Sequence, residues 1–300
     1  MTAFRLVVTG REGQVTRALQ ALAGPDLEVI ALGRDAFDLA AEGDATSVFA
    51  AARPDVIVNA GAYTAVDKAE SERELAFAVN GRGAGRVAQA AAALKIPVIQ
   101  ISTDYVFDGS GEKPWSEDDP TGPIGAYGAS KLAGEEAVRA QTPDHAILRT
   151  SWVYAPWGAN FVKTMLRLAE IRPELRVVAD QTGAPTSALD IAEAVVAVAR
   201  NLAARPQDAA LRGTFHLAAQ GFASWADFAR EIFAQSAARG GPSAAVVSIP
   251  SRDYPTPAAR PLNSRLSTEK LAVAHGVRPL DWRESLARVM DRLVGAKATP

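Results

Sequence analysis

In the first half of the chain, short runs of consecutive apolar residues alternate with longer stretches of helical periodicity. Apolar runs without a polar face are typical of strands buried on both sides of a parallel sheet. These runs are Phe4–Thr9, Leu27–Leu32, Val56–Asn59, Val98–Ser102 and Ala146–Thr150. The helical stretches between them are approximately Gln14–Leu22, Ala45–Ala52, Glu72–Leu94 and Tyr127–Ala140. The alternation predicts an α/β fold of the Rossmann type, a doubly wound parallel sheet.

The second half of the chain is less regular. Its apolar runs predict two further strands, Leu175–Ala179 and Thr214–Leu217. Its periodicity predicts three helices, Asp190–Ala203, Trp225–Ala238 (capped by Ser224) and Trp282–Leu293. The proline-rich stretch 250–261 excludes a regular helix. We expect the last strands of the sheet and a smaller C-terminal substrate-binding lobe, interleaved as a nucleotide-binding domain of 1–152 and 174–219 and a lobe of 153–173 and 220–300.

Composition narrows the function. Lys and Arg total 32 against 34 for Asp and Glu, a net charge of -2, which argues against binding to nucleic acid or an anionic membrane. The chain has no cysteine, which excludes disulfides and thiolate chemistry and fits the cytoplasm. The three histidines, His145, His216 and His275, are too scattered for a zinc site. We find no signal peptide and no apolar run long enough to span a bilayer.

A glycine-containing loop follows the first predicted strand. Gly10 and Gly13 allow a tight turn and a close approach of the backbone to a pyrophosphate. Gln14 and Val15 open the helix that follows. Thr16 stands where a third glycine is usual, so the motif alone also fits an ordinary strand-to-helix turn.

The end of the second strand bears on the choice of cofactor. NAD sites usually carry an acid there, whereas Gly33 is followed here by Arg34. Arg34 suits a ribose phosphate and favours NADPH, with NADH accepted as well, although a solvated surface arginine is almost as good an interpretation. Asp38 and Leu39 are candidates for the adenine region, and Asp38 also fits an ordinary loop residue.

Small residues follow the third strand. Ala60, Gly61 and Ala62, with Tyr63 after them, leave room for a flat cofactor against the backbone. Asn80 lies in the long helical stretch. Its side chain is either aimed at this strand end or exposed on the helix surface, and the pattern favours neither.

Three residues have the chemistry needed to reduce a ketone. A proton must reach the oxygen as hydride arrives, and Tyr127 is a candidate donor. Lys131, four residues later on one helix face, is expected to lower the tyrosine pKa. Thr103 directly follows the fourth apolar run and is placed to hold the oxygen. A tyrosine and a lysine four residues apart are common by chance. Here, however, the glycine loop, Thr103 and the pair of Tyr127 and Lys131 all fall at one edge of the predicted sheet, which favours a catalytic role.

The motifs of the chain resemble the extended short-chain dehydrogenase/reductases, and within them the dTDP-4-dehydrorhamnose reductase family. The resemblance covers nearly the whole chain. The stretches that carry it are residues 10–15, 59–70, 102–109, 127–132, 149–154, 180–186 and 260–266. The Ser-Thr-Asp-Tyr-Val-Phe-Asp-Gly run from Ser102 and the Arg-Pro-x-Asn-Ser segment from Arg260 are its most specific parts.

The resemblance implies reduction of dTDP-4-dehydro-L-rhamnose to dTDP-L-rhamnose by NADPH, with Thr103, Tyr127 and Lys131 as the catalytic residues. Tyr127 and Lys131 also contact the cofactor. The implied substrate-binding residues are Thr103, Asp104, Tyr105, Trp152, Asn160, Phe161, Lys163 and Arg260. Core packing is the alternative for Trp152, and a solvated helix face for Lys163. Independently of the resemblance, a guanidinium such as that of Arg260 is a fit donor for a diphosphate.

Two departures from the family pattern bear on assembly. Family members often carry an acid after the glycine loop, which helps to hold magnesium at a dimer contact, but Arg17-Ala18-Leu19 follows here. Asp190 stands where a glutamate is common. Magnesium is therefore doubtful, no metal ligand is assigned, and a monomer and a homodimer stay open. Two alternative functions also stay open: a reductase or epimerase of another nucleotide-linked keto-sugar, and a non-catalytic NADP-binding regulatory subunit.

Overall fold

The computed structural model describes residues 3–295. The strands of this part of the chain are β1 Phe4–Thr9, β2 Leu27–Leu32, β3 Val56–Asn59, β4 Val98–Thr103, β5 His145–Thr150, β6 Val153–Tyr154, β7 Glu174–Val178, β8 Thr182–Gly183, β9 Thr186–Ser187, β10 Gly213–His216, β11 Ala223–Ser224, β12 Ala245–Ile249 and β13 Asn263–Ser264. The helices are α1 Gln14–Gln20, α2 Thr46–Ala52, α3 Arg73–Phe77, α4 Gly83–Leu94, α5 Ala126–Gln141, α6 Phe161–Ala169, α7 Ala188–Ala204, α8 Trp225–Ala238, α9 Glu269–His275 and α10 Trp282–Leu293.

The central sheet has six strands in the order β10-β5-β4-β3-β1-β2, and every neighbouring pair is parallel. The five strands predicted from the first half of the chain are all present, each within one residue of its predicted bounds. The strand order reverses between β1 and β3, which is where doubly wound sheets bind their ligands. The predicted fold class is confirmed.

Alternate residues of the strands enter different core layers. Leu6 and Val8 of β1 pack into the layer that α1, α6, α7 and α8 cover. Val7, between them, packs against α2 and α4, where Phe49 and Val87 are wholly buried. Because both faces of the strand are covered by helices, its sequence is apolar at consecutive positions rather than at alternate ones.

The second half of the chain differs from the prediction in one strand. The apolar run at Leu175–Ala179 forms β7, but β7 pairs with β12 in a separate two-stranded sheet. The expectation that it extends the central sheet is therefore wrong, and β10 alone is added, beside β5. β7 buries only alternate residues, so its pattern fits a sheet with one exposed face.

The long helix predicted over Glu72–Leu94 is interrupted. Between α3 and α4 the backbone forms one wide turn of π-helix, Ala78–Arg82. Gly81 and Gly83 are weak helix formers, which makes the distortion inexpensive here. Such turns often mark functional sites because they reposition a side chain, in this case that of Asn80.

The helices of the second half follow their predicted bounds closely. Helix α8 spans Trp225–Ala238 as expected, and Ser224 caps it in a reciprocal pair with Asp227. Helix α10 also matches its prediction. The interleaved division into two domains stays a prediction. Between residues 3 and 295, no helix combines the length and the apolar character that crossing a membrane requires.

Gly134 allows α5 to lie directly on the distorted helical turn, since a β carbon there would overlap the carbonyl oxygen of Asn80. We expect Gly134→Ala to lower the free energy of unfolding by about 2 kcal/mol, as overpacked sites do. Urea denaturation followed by circular dichroism measures this. Gly24→Ala is the matched control, because no heavy atom beyond its two chain neighbours lies within 4 Å of the added carbon. Equal stability of Gly134→Ala and wild type would contradict the close packing.

Candidate active site

The loops after β1 and β3 touch through their backbones. Gly10 has a φ of 80°, and a β carbon there would lie 2.7 Å from the Cα of Gly61. The Thr9 hydroxyl links the two loops, since it donates to Asn59 Oδ1 at 2.6 Å and accepts from the Gly61 amide at 3.0 Å. The two loops therefore meet backbone to backbone at the point where the strand order reverses.

The start of α1 shows how the chain tolerates Thr16 in place of glycine. The Thr16 side chain is wholly buried, and its hydroxyl donates to the Thr9 carbonyl oxygen at 3.1 Å. Gly13 is the N-cap residue of α1, and no side chain caps the helix. Val15 contributes its side chain to the core. The loop geometry therefore survives the departure from the usual glycine pattern.

Two arginines lie at the end of β2. Arg34 is exposed, and it makes no ion pair in the described part of the chain. Arg11, from the glycine loop, crosses Gly33 and pairs with Asp35 at 2.9 Å. The hydrogen bond from Arg11 holds the pKa of the Asp35 carboxyl below its usual value. Sequence reasoning missed Arg11, because its position beside β2 depends on parallel pairing between distant segments.

Asp38 and Leu39 follow these arginines in the loop after β2, and their side chains make different contacts. Asp38 Oδ1 accepts from the Ala40 amide at 2.9 Å, which closes a local turn. Leu39 is buried, and its side chain occupies the space beside Gly61 and Gly83. Ala60 and Ala62 are half-buried in the loop after β3.

Asn80 is buried rather than exposed on a helix surface. Its amide holds the Tyr63 backbone at both polar atoms, accepting from the nitrogen at 2.8 Å and donating to the oxygen at 3.0 Å. It also donates to the Ser130 hydroxyl at 2.9 Å. Asn80 therefore joins the loop after β3 to α5, one residue before Lys131.

Thr103, Tyr127 and Lys131 come together where β4 ends and α5 begins. Thr103 is the last residue of β4. Tyr127 lies in the first turn of α5, and the Glu70 carboxylate accepts from the amide of the preceding Ala126 at 2.8 Å. The Lys131 ammonium is buried and donates to the Ile101 carbonyl oxygen at 2.7 Å. Glu70, which orients the start of this helix, was also missed.

The electrostatics of this cluster depart from expectation. Burial raises the pKa of Tyr127 to about 12, and the nearby Asp104 carboxylate acts in the same direction. Burial lowers the pKa of Lys131 to about 8, opposed by Glu135. The expected lowering of the tyrosine pKa by Lys131 is therefore not seen, because desolvation of the buried phenol is the largest effect on its pKa.

Asp104 adds a second acid to the cluster. It is buried, and burial raises the pKa of its carboxyl to about 6. The Thr103 hydroxyl donates to Asp104 Oδ1 at 3.0 Å and accepts from the Tyr105 amide at 3.2 Å. Tyr105 also packs edge-on against the Tyr127 ring, with centroids 5.6 Å apart.

Trp152 is held by stacking. Its φ of 48° is rare for a bulky residue, and its indole lies parallel to Trp225 with centroids 3.6 Å apart. Gly183 also lies against the indole of Trp152, since a β carbon there would lie 2.7 Å from the ring. The side chain stays half-exposed, so it combines core packing with an accessible edge. Phe161 packs on Trp225, with centroids 4.7 Å apart.

Asn160 and Lys163 belong to the start of α6. Asn160 caps this helix, and its amide donates to Gln14 Oε1 at 3.0 Å and to the Ala155 carbonyl at 2.8 Å. The Trp157 indole nitrogen donates to the Gln14 carbonyl oxygen at 3.1 Å. Lys163 is half-buried and forms no ion pair within residues 3–295.

Arg260 reaches back from the C-terminal part to the loop after β3. One terminal nitrogen of its guanidinium pairs with Asp67 at 2.9 Å. The other, Nη1, is buried without a hydrogen-bond partner in the described structure. A buried unpaired donor on a cation is costly, so an anionic ligand would suit this atom.

Asp190, considered above in connection with magnesium, forms an ion pair within the protein. Asp190 of α7 is buried and pairs with Arg288 at 2.6 Å, and Arg288 also binds Glu193. No group of three or more potential metal ligands occurs among residues 3–295.

A parallel Rossmann-type sheet, with a hydroxyl residue ending the fourth strand and tyrosine and lysine opening the next helix, defines an extended short-chain dehydrogenase/reductase. The chain belongs, more narrowly, to the family described as RmlD substrate binding domain, whose model matches residues 4–294.

Relatives of known identity resemble nearly the whole chain. A dTDP-4-dehydrorhamnose reductase of Sinorhizobium fredii is 53% identical over 291 residues, which cover 97% of this chain and 98% of the relative. The crystal structure of a Clostridium acetobutylicum dTDP-4-dehydrorhamnose reductase matches with a TM-score of 0.88 at 37% identity, covering 97% and 99% of the two chains. That of the Bacillus anthracis enzyme in complex with NADP matches with a TM-score of 0.88 at 34% identity, covering 96% and 99%.

The buried position of Lys131 predicts an unusual titration. We expect its side-chain amine to lose its proton near pH 8, because burial disfavours the ammonium form. A pH titration of the protein with isotopically labelled lysines, followed by NMR, measures this midpoint. Lys131→Arg identifies the signal by removing it. A midpoint above pH 10 would show that the ammonium is solvated and would contradict its burial.

Proposed function

We propose that the protein reduces dTDP-4-dehydro-L-rhamnose to dTDP-L-rhamnose with NADPH. The observation that carries this proposal is the convergence of Thr103, Tyr127 and Lys131 at the sheet edge where the loops of Gly10 and Gly61 also meet. The 53% identity to a Sinorhizobium fredii dTDP-4-dehydrorhamnose reductase supports the choice of substrate.

The residues at the ends of β1, β2 and β3 fit a nicotinamide dinucleotide. The loops after β1 and β3 present backbone rather than side chains where they meet at Gly10 and Gly61, and the exposed Arg34 and nearby Arg11 suit a ribose phosphate. The related Bacillus anthracis structure is a complex with NADP. We assign the cofactor to these residues and their neighbours: Gly10, Gly13, Gln14, Val15, Arg34, Asp38, Leu39, Ala60, Gly61, Ala62, Tyr63, Asn80, Tyr127 and Lys131. When bound, NADPH supplies the hydride that the keto carbon receives.

Tyr127 is the proton donor in this mechanism. A phenol with a pKa of about 12 stays protonated at neutral pH, so Tyr127 can donate to the oxygen on which negative charge develops. Lys131 is charged below about pH 8, and in this proposal its ammonium holds the cofactor in position beside Tyr127. NADH is also accepted in this proposal, with lower affinity.

Thr103 orients the keto oxygen. Its hydroxyl hydrogen points to Asp104 in this structure, so a substrate oxygen competes with that carboxylate for the same hydrogen. Protonation of Asp104, whose pKa is about 6, weakens this competitor. Asp104 and Tyr105 thereby shape the oxygen site together with Thr103.

The nucleotide side of the substrate meets Arg260. Its unpartnered nitrogen suits the diphosphate, while Asp67 holds the rest of the guanidinium in place. Trp152 and Phe161 offer aromatic surface to the sugar and the base, and Lys163 adds a positive charge. Asn160 contributes through the conformation it gives to the start of α6. A cytoplasmic location and the choice between monomer and homodimer stay predictions.

The direct test mixes purified protein, NADPH and enzymatically prepared dTDP-4-dehydro-L-rhamnose. Loss of NADPH absorbance, with dTDP-L-rhamnose identified by chromatography, supports the proposal. Consumption only with a different dTDP-linked keto-sugar would retain the chemistry and replace the substrate. NADPH binding without consumption of any keto-sugar would contradict a catalytic role.

Removing the phenol tests the proton donor. We expect Tyr127→Phe to lower kcat by about 10²- to 10⁴-fold, the usual contribution of a general acid. NADPH affinity, measured by cofactor fluorescence, should change little. Tyr154→Phe is the matched control, because its hydroxyl is remote and makes one long contact of 3.5 Å to the Trp282 carbonyl. Near-normal turnover of Tyr127→Phe would rule out this assignment.

Removing both arginines at β2 tests cofactor choice. We expect Arg11→Ala with Arg34→Ala to raise the KM for NADPH about a hundredfold, since each change removes a charge-assisted contact worth about a factor of ten, and to leave the KM for NADH nearly unchanged. Steady-state kinetics with both cofactors measure the ratio. Arg292→Ala, an exposed arginine of α10, is the control. An equal rise in KM for both cofactors would show that these arginines do not bind the ribose phosphate.

A further inference from the structure

Behind the proposed catalytic residues lies a buried carboxylate with four hydrogen-bond donors. Glu135 of α5 is wholly buried. Its Oε1 accepts from the Ser102 hydroxyl at 2.6 Å and from Arg149 Nε at 2.9 Å. Its Oε2 accepts from Arg149 Nη2 and Arg139 Nη2, both at 2.8 Å. The carboxylate therefore joins helix α5 to two neighbouring strands, β4 and β5.

Glu135 continues the line of the proposed catalytic side chains along α5. Tyr127, Lys131 and Glu135 are spaced four residues apart, which places them on one helix face. Lys131 is bonded to the carbonyl of Ile101 and Glu135 to the hydroxyl of Ser102. Two consecutive residues of β4 thus hold two consecutive turns of the helix, directly before Thr103.

We propose that Glu135 is a positioning residue, whose bonds to Ser102 and Arg149 set where α5 lies along β4 and so place Tyr127 and Lys131 relative to Thr103. The proposal rests on the proposed reduction, in which these three residues act on one oxygen. Ser102 is directly bonded to Thr103 in the chain and pairs with Arg149 in the sheet register. A shift of the helix along the strand breaks these contacts together.

The chemistry of the buried pair of Glu135 and Arg149 indicates that the pair fixes the local geometry rather than adding to the stability of the fold. Desolvating two charges costs about as much as their attraction returns, so apolar residues could fill this space at similar stability. A bidentate ion pair, by contrast, has one narrow set of allowed geometries. The Arg149 guanidinium is itself held over the Phe107 ring, 5.0 Å from the centroid.

The charge of Glu135 also acts on Lys131. Burial would raise the pKa of Glu135, but the hydrogen bonds from Arg149 outweigh it and keep the carboxylate ionised. This negative charge opposes the lowering of the Lys131 pKa. The other ionisable groups facing the pair are Arg139 on α5, Arg149 on β5 and His216 on β10 (pKa about 3, so neutral). Asp104 after β4 acts on Tyr127 instead.

Glu135→Gln is the first variant to test, by steady-state reduction across pH 6–10 with NADPH saturating. In wild type we expect the rate to fall as Lys131 loses its proton near pH 8. In Glu135→Gln we expect kcat to fall about tenfold, because the reacting groups are misplaced. The alkaline fall should also move to lower pH by about one unit, because a supporting negative charge is lost.

A matched control separates positioning from general destabilisation. Asp144→Asn breaks another ion pair of the same sheet, between Asp144 and Arg212 at 3.0 Å, at the opposite end of β5. It should lower stability without moving the alkaline fall of the rate. An unshifted pH profile with kcat within about twofold of wild type in folded Glu135→Gln would overturn the proposal.

Ser102→Ala keeps both charges and removes only the link to β4, so it decides the question if Glu135→Gln fails to fold. We expect a lower kcat, and a crystal structure in which the 2.7 Å contact between Lys131 Nζ and the Ile101 oxygen has lengthened. Unchanged kcat and an unchanged contact would overturn the proposal. The crystallographic distance does not depend on turnover, so it still tests Glu135 if wild type proves inactive on the keto-sugar.

Discussion

The close packing of α5 against β4 and the distorted turn before α4 is the constraint on which the rest of the site depends. Helix α5 carries Tyr127 and Lys131, and it lies so near the backbone of Asn80 that only glycine fits at residue 134. Asn80 in turn holds the Tyr63 backbone in the loop after β3. One contact surface therefore fixes both the proposed catalytic side chains and the loop after β3.

Regular strands and helices were predictable because the burial of their residues follows the local periodicity of apolar positions in the sequence. The five strands of the first half lie in runs apolar at consecutive positions, and α8 has both a helical pattern and a capping serine at Ser224. The partner of β7 was not predictable, since an apolar run shows that a strand is buried but not which strand it joins. The break in the helix at Asn80 depends on a bond to Tyr63, seventeen residues away.

The candidate site was predictable where its residues directly follow the strands of the parallel sheet. Carboxyl ends of parallel strands meet at one edge, so residues following β1, β3 and β4 had to be neighbours. This rule did not identify the residues that orient the site from other parts of the chain. Arg11 meets Asp35, Glu70 meets the amide of Ala126, and Glu135 meets Ser102, all through contacts between distant segments. The pKa of Tyr127 was misjudged for a related reason, because sequence spacing reveals a nearby charge but not the extent of desolvation.

Gln14 ties the glycine loop to the start of α6, through its carbonyl oxygen to the Trp157 indole and through its side chain to Asn160. Neither segment can shift without breaking a contact of the other, because both bonds end on Gln14. The first residue of one short helix thereby fixes the relative position of two segments that lie 143 and 146 residues apart in the chain.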